Sequence, residues 1–192
     1  MATYDNKKIP DSPTLILRES ASAYQYHQAL QKVRTGEMIR LRPGIFASTE
    51  TLAATMIDIN QVVPKGVLCM YSAWFHHNLT TQIPSAYNIA IERKRKVVLS
   101  SPISVELYYW SEKLFEFGIE QTNIEGHSVH ITDIERSVCD AIKYRNKIGL
   151  DLSSEIFRSY LQRPDKKISK LLETAKKLRV EKTVKSYLEV IL

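Results

Sequence analysis

Apolar and polar residues change their rhythm several times along this chain, and each change marks an element. Between Ser22 and Val33, Ala23, Tyr26, Leu30 and Val33 recur at helical spacing, with Ser20 or Ser22 placed to cap the helix. Tyr24, Gln28 and Gln31 fall on the opposite face, flanked by His27 and Lys32. After Gly36 the period drops to two. Met38, Arg40 and Arg42 alternate with Ile39 and Leu41, which predicts a strand with two arginines on one face, then a Pro43-Gly44 turn and a second short strand over 45–47. A helix followed by a hairpin is the expectation. The first 13 residues are polar, hold two prolines and read as an arm.

From Thr51 onward the patterning predicts a larger unit. Leu52, Met56 and Ile59 suggest a helix over 51–59, and a buried helix covers at least 72–78. Strands are expected over 87–91, 96–99, 104–109 and 128–131. Thr132-Asp133-Ile134-Glu135 has the form of a capping box with Thr132 as the cap, opening a helix through Ile134, Val138, Ala141 and Ile142. Two helical segments close the chain, over 168–178 and 181–192. In the first, Ile168, Leu171, Leu172, Ala175 and Leu178 share a face and Lys166, Lys170 and Lys177 lie opposite; in the second, Val184, Tyr187, Leu188 and Ile191 form the apolar stripe. Strands and helices mix without regular alternation, so the expected class is α+β, divided into an arm and helix-hairpin unit over 1–50 and an α+β domain over 51–192.

Composition adds less than pattern. With 192 residues and 44% hydrophobic content, the chain can build a core without disulfides. Cys69 and Cys139 sit in apolar stretches with no CxxC spacing, so buried thiols are expected. No apolar run approaches the roughly 18 residues of a membrane span, and the start does not read as a signal peptide, which points to a cytoplasmic protein with no membrane partner. Charge is more informative in its distribution than in its total of +6. Lys and Arg exceed Asp and Glu by 7 to 5 over residues 1–50, balance at 10 to 10 over 51–150, and exceed them by 10 to 6 over 151–192. Basic ends suit a polyanion, and they equally suit solvated lysine-rich helix faces.

The helix-hairpin unit has a physical use on DNA. A helix face offering Gln, Lys and Tyr can enter the major groove, where Gln pairs with adenine, while a hairpin carrying Arg40 and Arg42 can straddle phosphates or reach the minor groove. The plainer alternative is a polar, solvated helix beside an edge hairpin whose arginines keep it from pairing.

Enzymatic readings lack a complete set of groups. His76 and His77, adjacent on a helix, diverge by about 100°, and His127 and His130 point to opposite faces of a strand; no HExxH or cysteine pair completes a metal site. There is no GxSxG elbow, and Cys139 lies on an apolar helix face. Glu92 and Lys94 share a strand face as in a restriction-nuclease-like site, but no Asp occurs between Asp58 and Asp133 to complete a Mg²⁺-binding pair. Without that pair, the charges from Glu92 to Lys96 read as a solvated hairpin or a nucleic-acid-facing patch. Phosphate-cradling glycine loops are absent from the sequence, so no cofactor is expected. Asp133, Arg136 and Asp140 share one helix face, and they read as a helix-start acid and an internal ion pair.

Three stretches carry a resemblance: GEMIRLRPGIFA at 36–47, LCMYSAWFHHNLT at 68–80 with IPSAYNIAI at 83–91, and VHITDIERSVCDAI at 129–142. In this order they resemble successive motifs of the AbiEi family of antitoxins, over roughly residues 20–192. The resemblance implies a winged-helix DNA-binding unit, abbreviated here because only about 21 residues precede Ser22 where an ordinary winged helix has two helices. It further implies a non-catalytic antitoxin of a type IV toxin-antitoxin system, of the kind linked to abortive infection and phage defence. Such a protein represses its own operon by binding promoter DNA. Its larger domain opposes an AbiEii-like nucleotidyltransferase toxin without forming a stable complex. By position, the recognition role falls on Gln28, Gln31 and Lys32, with Tyr24 on the same face, and the wing role on Arg40 and Arg42. Lys166, Lys170 and Lys177 are candidates for a second nucleic-acid surface. The alternative is a non-catalytic protein- or RNA-binding module with a degenerate DNA-binding unit.

Overall fold

Ser22 caps the first long element from both directions. In the computed structural model, which describes residues 15–17, 21–48, 59–99, 104–124 and 126–191, Ser22 Oγ accepts from Gln25 N at 3.2 Å and Gln25 Oε1 accepts from Ser22 N at 3.0 Å. Helix α1 (Ala23–Thr35) then runs to Gly36, which turns left-handed at φ +81° and returns its N–H to Val33 O. The chain divides into two compact units: Met1–Pro64 with Lys96–Ser104 and Ile124–His127, and Lys65–Arg95 with Val105–Asn123 and Ser128–Leu192. Residues around the expected division at 50/51 lie outside the described ones, as does most of the helix expected over 51–59.

In the first unit, α1 packs on a three-stranded antiparallel sheet of β1 (Leu15–Leu17), β2 (Met38–Arg42) and β3 (Ile45–Ser48), in the order β1-β3-β2. Strand β1 falls just after the segment read as an arm. Three apolar residues are too few to show a period, and they form a strand because β3 offers them an edge. Ile16, Ala29, Met38 and Phe46 make the core, with Tyr26, Leu30 and Val33 packed against it. Ala29 replaces Ala23 in the expected stripe: Ala23 is exposed, and the small side chain of Ala29 lets the helix backbone approach the sheet. A short helix, α2 (Ile59–Val62), has Ile59 and Val62 buried.

The second unit is a mixed sheet followed by helices, an α+β arrangement. Its strands are β4 (Val67–Leu68), β5 (Tyr87–Glu92), β6 (Val105–Trp110), β7 (Ile119–Ile124) and β8 (His127–Thr132), in the order β6-β5-β4-β8-β7. Strand β4 runs antiparallel to β5 and parallel to β8, while β5 and β6 are parallel. The helices are α3 (Met70–His76), α4 (Glu112–Phe115), α5 (Ile134–Ile148), α6 (Leu150–Leu161), α7 (Ile168–Lys177) and α8 (Glu181–Ile191). Trp74, Val138, Ile142, Phe157, Leu171 and Val184 meet in one core, where Trp74 Nε1 donates to Ser137 O at 2.8 Å.

Several elements depart from expectation. Residues 95–99 form no strand, whereas β7 and α6 appear where none was expected. Leu152, Ile156, Phe157 and Tyr160 bury one face of α6 at helical spacing. The cap of α5 is Asp133 and not Thr132, because β8 continues through Thr132 and leaves Asp133 as the first residue free to turn. Asp133 Oδ1 accepts from Arg136 N at 2.7 Å, and the Thr132 hydroxyl lies 2.8 Å from Ser137 Oγ.

The step from β4 into α3 is tight. Met70 enters the helix at φ +49°, which costs a non-glycine residue about 1–2 kcal/mol. Hydrogen bonds on both sides hold it there: Cys69 N donates to Asn88 O at 2.9 Å and Tyr71 N to Asn88 Oδ1 at 3.3 Å.

Both cysteines are fully buried, and burial pushes both thiols above their ordinary range. Neither should react with a thiol reagent at pH 8 in the native protein, and both should react once denaturant unfolds it. Rapid native labelling of either would contradict the packing. Among the described residues no helix is long and apolar enough to cross a membrane.

Candidate nucleic-acid interface

The face of α1 opposite its buried stripe carries Tyr24, Gln28 and Gln31 at spacings of four and three, which places them one above another. Thr35 continues this line, and Lys32 flanks it. Tyr24 is 46% exposed, and Gln28 Nε2 donates to its hydroxyl at 2.9 Å. The 13 residues of α1 include no acid, while Lys32 and Arg34 stand in its last turn. The face is therefore polar, uncharged at its start and positive at its end. The structure thus brings together Tyr24, Gln28, Gln31 and Lys32.

The hairpin is less regular than alternation predicts. Arg40 pairs with Phe46 and Arg42 with Ile45, so the register shifts at Leu41 and the two-residue period breaks between the arginines. Phe46 and Ile45 have opposite parity on β3. The two arginine positions therefore do not share one face in the way strict alternation requires. Arg40 is exposed; of Arg42 only the backbone position is described.

The three lysines assigned to a second surface differ from one another. Lys166 is exposed and donates to Arg163 O at 3.2 Å, and Lys177 is exposed with its ammonium 5.2 Å from the Phe117 ring centre. Lys170 is tied down: its Nζ lies 3.1 Å from Asp133 Oδ2 and 2.7 Å from Glu135 Oε2. Glu135 also accepts from the Tyr160 hydroxyl at 3.2 Å. Lys170 therefore fastens α7 to the start of α5. The sequence signal for this is the pair of acids at the start of α5, the cap Asp133 and Glu135 in the first turn, which attracts a cation from a neighbouring element.

Arg136 is structural in every contact it makes. Its Nε donates to Asp140 Oδ2 at 2.9 Å and its Nη1 to the carbonyls of Leu114 and Phe117 at 2.9 and 3.1 Å. The guanidinium lies between the Trp110 and Phe117 rings, 4.3 and 4.6 Å from their centres. Gly118 makes room for it at φ +64°: a Cβ there would lie 2.9 Å from Arg136 Cβ.

His77 Nε2 is 2.7 Å from Thr132 O, so it must donate there. Burial and the adjacent His77 hold His76 below the ordinary imidazole value. His127 is half-buried and His130 exposed. Among the described residues no group of three or more His, Cys, Asp or Glu could hold a metal ion. Glu92 and Lys94 are both exposed, at and just beyond the end of β5. No protein-family model matches the chain, and no curated protein is significantly similar to it.

Proposed function

We propose that this protein is a non-catalytic DNA-binding regulator that meets the major groove with the Tyr24, Gln28, Gln31 and Lys32 face of α1 and flanking phosphates with Arg40 and Arg42. The observation that carries this reading is a 13-residue helix with no acidic residue, a buried face committed to its sheet and an opposite face of hydrogen-bonding side chains, of which Tyr24 and Gln31 are exposed and Gln28 and Lys32 half-buried. Such a face is suited to base edges, and the hairpin that follows supplies cations for the backbone. The motif resemblance extends the proposal. The chain acts in the cytoplasm as an AbiEi-type antitoxin with a winged-helix-like first unit, represses its own promoter and opposes a nucleotidyltransferase-type toxin without a stable complex.

The test is a mobility shift on a duplex from the chain's own promoter across a salt series. Wild-type affinity should fall linearly with salt on logarithmic axes, and Arg40→Ala with Arg42→Ala should reduce that slope by about 2. The same double variant should still rescue growth against the co-expressed cognate toxin, since repression and neutralisation use different surfaces. Equal DNA binding by wild type and variant overturns the interface.

A further inference from the structure

The bond between Tyr24 and Gln28 has a direction. The Gln28 amide nitrogen can only donate, so at 2.9 Å the Tyr24 oxygen is the acceptor, and the proton of the phenol must be given elsewhere. No side chain of α1 is a carboxylate that could take it. A hydroxyl that accepts one hydrogen bond becomes a better donor of its own proton, because the two bonds polarise each other. Tyr24 is the second residue of α1, in the first turn, the part of a groove-reading helix that faces base edges.

We propose that Tyr24 and Gln28 act as one unit on DNA, with Gln28 holding the Tyr24 hydroxyl so that it donates to a hydrogen-bond acceptor of the duplex. This rests on the DNA-binding reading above and changes the roles within it: Tyr24 makes the contact, and Gln28 is a positioning residue. The acceptor is a phosphate oxygen or a base-edge atom such as purine N7 or thymine O4. Fixing the phenol in advance lowers the ordering cost of the contact.

The experiment is a double-mutant cycle on the full chain: wild type, Tyr24→Phe, Gln28→Ala and the double variant. Two probes are used, a 20-base-pair duplex selected by the wild type from a randomised pool and the unselected pool itself. Each single variant should lose about tenfold in affinity for the selected duplex, and the double variant should lose no more than the worse single one. Tyr24→Phe should melt with the wild type, since Tyr24 is 46% exposed; Gln28 is half-buried, so circular dichroism is used to show that each protein carrying Gln28→Ala is folded at the assay temperature. Loss confined to the selected duplex identifies a base edge as acceptor, and equal loss on both probes identifies phosphate. Losses that multiply in the double variant, or a Tyr24→Phe protein with wild-type affinity, overturn the unit while leaving the DNA-binding reading intact. A wild type that binds neither probe overturns that reading and this inference with it.

Discussion

Arg136→Ala is expected to cost the second unit about 3–5 kcal/mol, the penalty for removing one partner of a buried ion pair. Asp140 would remain buried without its cation, and the Leu114 and Phe117 carbonyls would lose their shared donor. Arg136→Lys should recover little, because an ammonium cannot reach all three acceptors with the fork geometry of a guanidinium. The loss also has a pH signature. Burial already pushes the Asp140 carboxyl above its ordinary 3.8, against the pull of Arg136, and without the arginine it rises further. In the variant the folded state then holds a proton that the unfolded state gives up above pH 3.8, so stability increases as pH falls through the raised value. Urea unfolding followed by tryptophan fluorescence should give a deficit that shrinks between pH 7 and pH 4. A deficit independent of pH would mean that lost packing, not the stranded carboxylate, dominates.

Lys170→Glu should be the most damaging charge reversal among the C-terminal lysines. It would bring a third carboxylate to Asp133 and Glu135, and the Glu135 side chain is only 2% exposed. The Lys170 side chain is itself 44% exposed, so solvent screens part of the interaction and the cost should be on the order of 2–3 kcal/mol, below that of a fully buried pair. Lys166→Glu and Lys177→Glu, at exposed positions, should each change stability by less than about 0.5 kcal/mol. Comparing the three by thermal melting separates the lysine that holds the fold from those that only face solvent. Equal melting temperatures would contradict the Lys170 bridge.

Elements whose period is long and uninterrupted were legible in the sequence. Helix α1 with its Ser22 cap, the hairpin at Pro43-Gly44, and α7 and α8 all rest on repeats of several turns or on turn chemistry. What escaped was decided by partners distant in sequence. Strands β1 and β4 hold three and two residues, and they exist because β3 in one case, and β5 and β8 in the other, present edges to them. The cap of α5 moved by one residue because pairing held Thr132 in β8. In the candidate interface the polar face of α1 followed from periodicity alone, whereas the bulge at Leu41 and the bond between Tyr24 and Gln28 did not. Lys170 was assigned to an outward face by its position opposite the apolar stripe. The stripe fixes which side of a helix is buried, not what a long side chain at its margin can reach.

Because β4 is two residues long and central in its sheet, the strand pairing that joins β6-β5 to β8-β7 among the described residues runs through Val67 and Leu68. Leu68 meets Ile131 in parallel register, and nearby Trp74 meets Ser137, 63 residues further along the chain. That closure is topologically distant and entropically slow. During synthesis at about 5–20 residues per second, β4 and β5 leave the ribosome seconds before β8 can pair with them. Through that interval the apolar Val67 and Leu68 of β4 are paired with β5 on one side and unpaired on the side that β8 will take, an edge that invites association between nascent chains. The half-finished sheet is thus the stage at which this protein most needs a chaperone or a low local concentration.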